Sequence, residues 1–140
     1  MSDSAILLPA CAMVGLTFVT WIRLYRERIG EIRRRRIHPQ KLATRRDTAE
    51  LLEDTRASDH LRNLFEMPVL FYVLCAMLAA TEMATPLFVV LAWLYFLARC
   101  VHAAIHLGYN NVYHRFIAYV AGTALLFATW ALFAWQIATA

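Results

Sequence analysis

Charge is absent from long parts of this 140-residue chain. Ala5 to Ile22 carries none over 18 residues, and Phe116 to Ala140 carries none at all. A run of that length at about 1.5 Å per residue crosses a hydrocarbon core of about 30 Å. A soluble globular class is excluded by the same count. The chain is 61% hydrophobic with a mean hydropathy of +0.49, against about 45–50% apolar for ordinary soluble domains. Cysteine is scarce: Cys11, Cys75 and Cys100 stand far apart in apolar runs, with no CxxC pair. That excludes a disulfide framework and a cysteine zinc pattern, and leaves small buried hydrophobes. No basic residue precedes the first apolar run, whereas many follow it, the reverse of a secretory signal.

What charge there is lies mostly in one block. Of the 14 Lys and Arg, 12 fall between Arg23 and Arg62; Arg99 and Arg115 are the other two. A basic block can mark a nucleic-acid protein. Here apolar runs flank it, so it reads as a topology signal facing anionic lipid, and no nucleic-acid partner is expected.

The pattern predicts an all-α integral membrane protein, one four-helix domain over residues 1–140. The spans fall at about 5–25, 61–81, 86–107 and 116–138, with a basic cytosolic loop over 26–60. Glu50 to Arg56 reads as a short helical turn within that loop. Both termini then lie outside the cytosol. Trp130 and Trp135 read as interfacial anchors near the outer face, and Tyr109 and Tyr113 as belt residues at the inner one. A positive loop beside four compact spans fits a bacterial inner membrane.

This topology brings polar residues to one leaflet. Arg62, Asn63 and Glu66 sit near the start of the second span, where unpaired polar groups cost several kcal/mol each. Arg99, His102 and His106 share one face near the end of the third. Arg23 ends the first span and Arg115 opens the fourth. The expected result is a basic pocket with one carboxylate and one amide, in which Arg62 can pair with Glu66. Arginine binds carboxylates bidentately, glutamate accepts from ammonium, and asparagine serves an amide. Glutathione offers all of these groups plus a thiol. A guanidinium beside that thiol would lower its pKa from about 8.5 as a fixed charge.

Arg56-x6-Asn63-x2-Glu66-x-Pro68 resembles the signature of the MAPEG family, the membrane-associated proteins in eicosanoid and glutathione metabolism. Arg99-x2-His102, followed by Arg115, is similar in order and spacing to the prostaglandin E synthase branch, as is the Arg62-Asn63 pair. The resemblance implies a homotrimer with glutathione between subunits near the cytosolic face, surrounded by membrane lipid. It implies that Arg62, Asn63, Glu66, His102 and Arg115 hold glutathione, with Arg23 reaching in from an adjoining subunit. Arg115 would be the catalytic residue, stabilising a thiolate that attacks a small lipophilic electrophile. Arg99 would brace the bundle or pair with a carboxylate.

Other readings stay open. Asp59, His106 and Phe116 differ from the family pattern, where arginine, tyrosine and, in the prostaglandin branch, serine are usual. Met67 likewise replaces a tyrosine of the leukotriene branch. Neither prostaglandin nor leukotriene synthesis follows, and a non-catalytic lipid- or ligand-binding scaffold of the same fold is the alternative. A proton-coupled exporter would carry a carboxylate deep in the first span, which has no charge. Glu66 with Arg62 or Arg99 could also be an ion pair that sets helix register. His102 and His106 are spaced as half a metal site, yet no third ligand stands out apart from Glu66. No metal is assigned, and the histidines read as hydrogen-bonded groups of a polar bundle interior.

Overall fold

A computed structural model describes residues 3–52 and 55–139. A single 3₁₀ turn over Asp3–Ile6 leads into α1 (Leu7–Arg35). A second 3₁₀ turn over Pro39–Leu42 precedes α2 (Arg45–Leu51), and α3 (Arg56–Leu64), α4 (Met67–Ala80), α5 (Pro86–Leu107) and α6 (Val112–Thr139) follow. No strand occurs among the described residues. Four stretches are long and apolar enough to cross a membrane: Ser4–Arg35, Arg56–Ala80, Pro86–Leu107 and Val112–Thr139. The third span matches the expected bounds; the other three differ.

The first helix does not stop near residue 25 but runs ten residues further, to Arg35. Paired charges at i, i+4 support the extension: Arg23 Nε donates to Glu27 Oε1 at 2.6 Å, and Arg35 Nη1 to Glu31 Oε1 at 2.9 Å. The second half of the loop holds it in place. Arg28 Nη2 donates to Thr48 Oγ1 at 2.9 Å, and Arg35 Nη1 to the Leu51 carbonyl at 2.7 Å. Arg36 ends the helix in the left-handed region, with φ of 52°. The following α2 begins at a capping box, in which Thr44 and Asp47 each accept from the other's backbone N–H. The short helical turn expected over Glu50–Arg56 is not seen as one element among the described residues: Glu50 lies near the end of α2, Arg56 opens a separate helix, and positions 53 and 54 between them lie outside the described residues.

The second span starts at Arg56, five residues before the expected Leu61, and it is broken. Thr55 precedes its first turn and Asp59 lies within it, where a negative side chain complements the helix dipole. Pro68 causes the break. In a continuous helix it would lack the N–H for the Leu64 carbonyl and would clash with that group. The chain instead turns at Phe65 and Glu66, with Glu66 at φ −97° and ψ −95°, and Pro68 occupies the first turn of α4. The fourth span opens at Val112, four residues before Phe116. The connection from α5 is correspondingly short, and Gly108 needs its lack of a side chain. A Cβ there would lie 2.6 Å from the Ala104 carbonyl oxygen.

The apolar core runs along the inner faces of the spans and includes Met13, Phe71, Leu78, Tyr95, Leu126 and Phe133. Many large apolar side chains, such as Phe18, Leu97, Phe127 and Trp135, face outward. Outward apolar faces suit a hydrocarbon solvent. Trp135 is 71% exposed on that outer surface. Trp130 is not a free anchor: it is part-buried against Phe133, and its indole Nε1 donates to the Leu70 carbonyl at 3.3 Å.

Candidate functional site

The polar residues gather at the end of the bundle where α1 leaves it and where α5 turns into α6. Three long-range bonds define that end. Arg23 Nη2 donates to the Leu107 carbonyl at 2.7 Å, Arg56 Nη1 to the Gly108 carbonyl at 2.9 Å, and Arg99 Nη2 to the Asn63 carbonyl at 3.1 Å. The first two satisfy carbonyls at the C-terminus of α5, which have no partner within the helix.

Arg99 is deeper. It lies nine residues before Gly108, about 13 Å along the helix, and is 1% exposed. Its guanidinium stands 5.6 Å from the Tyr119 ring centre and attracts the Glu66 carboxylate electrostatically. Its bond to the Asn63 carbonyl ties α5 to α3.

His102 and His106 lie on the same face of α5, one and two turns nearer the connection. His102 Nδ1 meets the Arg115 carbonyl at 3.2 Å. Arg115 Nη1 donates to His106 Nε2 at 3.1 Å and to Asn110 Oδ1 at 2.9 Å. The two bonds share a single nitrogen, and Nε and Nη2 of Arg115 bond to no other described residue. Arg115 is half-buried. The fourth span thus delivers a guanidinium that is oriented from one side and open on the other.

Arg62 and Glu66 do not join this cluster. Both are exposed and line an open groove of about 810 Å³, together with Leu24, Glu27, Arg28 and Thr48. Neighbouring residues on a helix point about 100° apart, so Arg62 turns to the groove while Asn63 is half-buried beside Arg99. Nor do Arg62 and Glu66 form the expected ion pair among the described residues. The i, i+4 spacing presumes one continuous helix, and the break at Phe65–Glu66 removes that relation. Arg23 lies between the two regions: its partner Glu27 lines the groove, and its other contact is the end of α5.

Among the departures from the family pattern, Asp59 is exposed beside the groove and accepts from Thr55 Oγ1 at 3.0 Å. Phe116 faces outward. His106 is buried and bonded to Arg115.

A model of the MAPEG family matches residues 6–135, nearly the whole length and all four spans. The chain belongs to the MAPEG family. No curated protein and no solved structure matches it. The MAPEG assignment makes the four apolar helices membrane spans and the protein an integral membrane protein, with lipid against its outer faces. This family holds both glutathione-dependent transferases and non-catalytic members.

One residue of this polar cluster was not legible in the sequence. His60 is completely buried, with both ring nitrogens unbonded, against His102 and His106. It supplies the third histidine that the sequence reading lacked. The signal was present as Ala57, His60 and Leu64, spaced i, i+3 and i+7 on one buried face. A helix started at Leu61 leaves His60 in a loop, and the face is then invisible.

Proposed function

We propose that this MAPEG protein is a glutathione-dependent membrane transferase or peroxidase acting on lipophilic electrophiles. The observation that supports it most is the Arg115 guanidinium, fixed through Nη1 to His106 and Asn110 with Nε and Nη2 open. A cation held in place before the ligand arrives stabilises a thiolate without reorganising. Arginine keeps its proton, so the thiol proton leaves to water. In transfer, the sulfur forms a bond to carbon as the leaving group departs with its electron pair. In peroxide reduction, the thiolate takes the terminal oxygen of a hydroperoxide, the alkoxide leaves and is protonated to an alcohol, and a second glutathione displaces that oxygen from sulfur as water to close the disulfide.

Arg62 and Glu66 supply charges of both signs on the groove, while Asn63, His102 and Arg23 belong to the polar end of the bundle beside it. These suit the carboxylates, ammonium and amides of glutathione. The two regions lie on different faces of α3, and a ligand spanning them suits a site completed by a neighbouring subunit of a homotrimer. The positive-inside pattern supports a site near the cytosolic face, and a positive loop beside four compact spans fits a bacterial inner membrane. Motif spacing is nearest the prostaglandin E synthase branch, while Phe116 and His106 argue against that branch's substrate.

The test is glutathione binding to detergent-purified protein, by calorimetry and thermal shift. Saturable binding that Arg115→Ala and Glu66→Ala abolish supports the reading. Binding unchanged in both variants overturns it.

A second reading is a non-catalytic lipid-binding scaffold of the same fold. The His106–Arg115 bond favours it, since it occupies part of the guanidinium that would otherwise face the thiol. Bound lipid retained on purification, with no response to millimolar glutathione, would select it.

A further inference from the structure

His60, His102 and His106 form a compact triangle inside the bundle. Their ring centres are 5.5, 5.2 and 5.6 Å apart for the pairs 60–102, 60–106 and 102–106. Their exposures are 0%, 1% and 2%. One nitrogen from each ring lies within 4.8 Å of the others. Each ring also has a buried nitrogen with no hydrogen-bond partner: both of His60, Nε2 of His102 and Nδ1 of His106. Four orphaned nitrogens at one buried point are costly unless something binds them.

We propose that these three histidines form a binding site for a divalent transition-metal ion of the zinc type. The inference does not depend on the proposed use of glutathione. A tetrahedral ion with bonds of about 2.0–2.1 Å to nitrogen holds imidazole centres roughly 5.2 Å apart. The observed triangle has that size already. Its nitrogens would lie about 3.3 Å apart around such an ion, so the rings need to rotate rather than travel. His60 has both nitrogens available for that rotation.

The surroundings fit a ligand set of neutral imidazoles. His102 Nδ1–H donating to the Arg115 carbonyl would leave the Nε2 lone pair inward, the orienting bond that metal-binding histidines commonly make. His106 is different. Its Nε2 accepts from Arg115 Nη1, so ligation by His106 takes it away from Arg115, which keeps Asn110. The nearby arginines 23, 99 and 115 oppose a bare cation. They favour an anion, such as hydroxide, in the fourth position that three histidines leave open. Imidazole ligands without carboxylates select zinc, copper, nickel or cobalt over magnesium and calcium.

The test uses the full chain, purified in detergent without a histidine tag, stripped with chelator, then loaded with Zn²⁺ or Co²⁺ alone and dialysed. The expected result is about one ion per chain and the intense visible bands of four-coordinate cobalt. His60→Gln, His102→Gln and His106→Gln should each weaken binding by at least roughly tenfold. A His38→Gln/His114→Gln double variant, altered at exposed histidines outside the triangle, should bind like wild type. His60→Cys keeps a ligand and should add thiolate-to-cobalt absorption in the near ultraviolet; it also serves if the glutamine variants do not fold. Folded wild type without stoichiometric metal overturns the proposal. So does full binding in His60→Gln, or bound cobalt in His60→Cys without the thiolate band.

Discussion

Arg99 Nη2 donates to the backbone carbonyl of Asn63 at 3.1 Å, in the interior of a membrane bundle. That carbonyl is available because of a residue five positions later. Pro68 interrupts the second span, and the Glu66 N–H reaches the Asn63 oxygen only at 3.4 Å. In an unbroken helix the Met67 N–H would occupy it. A proline in one span thus creates the acceptor for a buried cation in another.

Removing Arg99 should therefore cost stability through packing as well as charge. Arg99→Ala is expected to destabilise the protein by about 2–5 kcal/mol, the range for large-to-small changes in a core. Arg99→Met, which keeps most of the volume, should cost less. Thermal denaturation in a single detergent measures both. Equal losses in the two variants would show that packing is not the main term.

Pro68 and Arg99 should be energetically coupled. Pro68→Ala lets the helix close and gives the Asn63 carbonyl a competing donor, Met67 N–H. The expected coupling energy in a double-mutant cycle with Arg99→Met is about 0.5–3 kcal/mol, the usual span for residues sharing a partner. Simple additivity would mean that the break and the arginine act independently.

Gly108 should resist even a methyl group. A Cβ would sit 2.6 Å from the Ala104 carbonyl oxygen, which belongs to the α5 backbone and cannot swing aside. Gly108→Ala is expected to lower stability by about 1–3 kcal/mol, as overpacking does. It should also displace the carbonyl that accepts from Arg56. Wild-type melting behaviour in this variant would refute the clash.

Arg62→Ala and Glu66→Gln separate binding from stability. Both side chains are exposed and lack ion-pair partners among the described residues. Surface changes of this kind usually shift stability by no more than about 0.5 kcal/mol. Glutathione affinity, if these residues contact it, should fall by about tenfold or more, since a charge-assisted bond is worth about 1.5–3 kcal/mol. A titration on folded variants decides it. Unchanged affinity would remove the groove from the site.

The apolar runs and the basic block by themselves determined the class, the number of spans and the end of the bundle where polar groups collect. The reason is that a bilayer demands long uncharged helices and leaves few places for charge. Arg99, His102 and His106 were also legible, because their spacing on α5 needs only helical periodicity. Only the tertiary structure decided the rest. Helix ends depend on partners outside the helix: the extension of α1 rests on Thr48 and the Leu51 carbonyl as well as its own charge pairs. The break at Glu66 rotated Arg62 and Glu66 apart, although their spacing in the chain suggested a pair. His60 became a neighbour of His102 and His106 only when α3 packed against α5. Proximity across helices depends on rotation about each axis, and that rotation is set by the packing of whole faces.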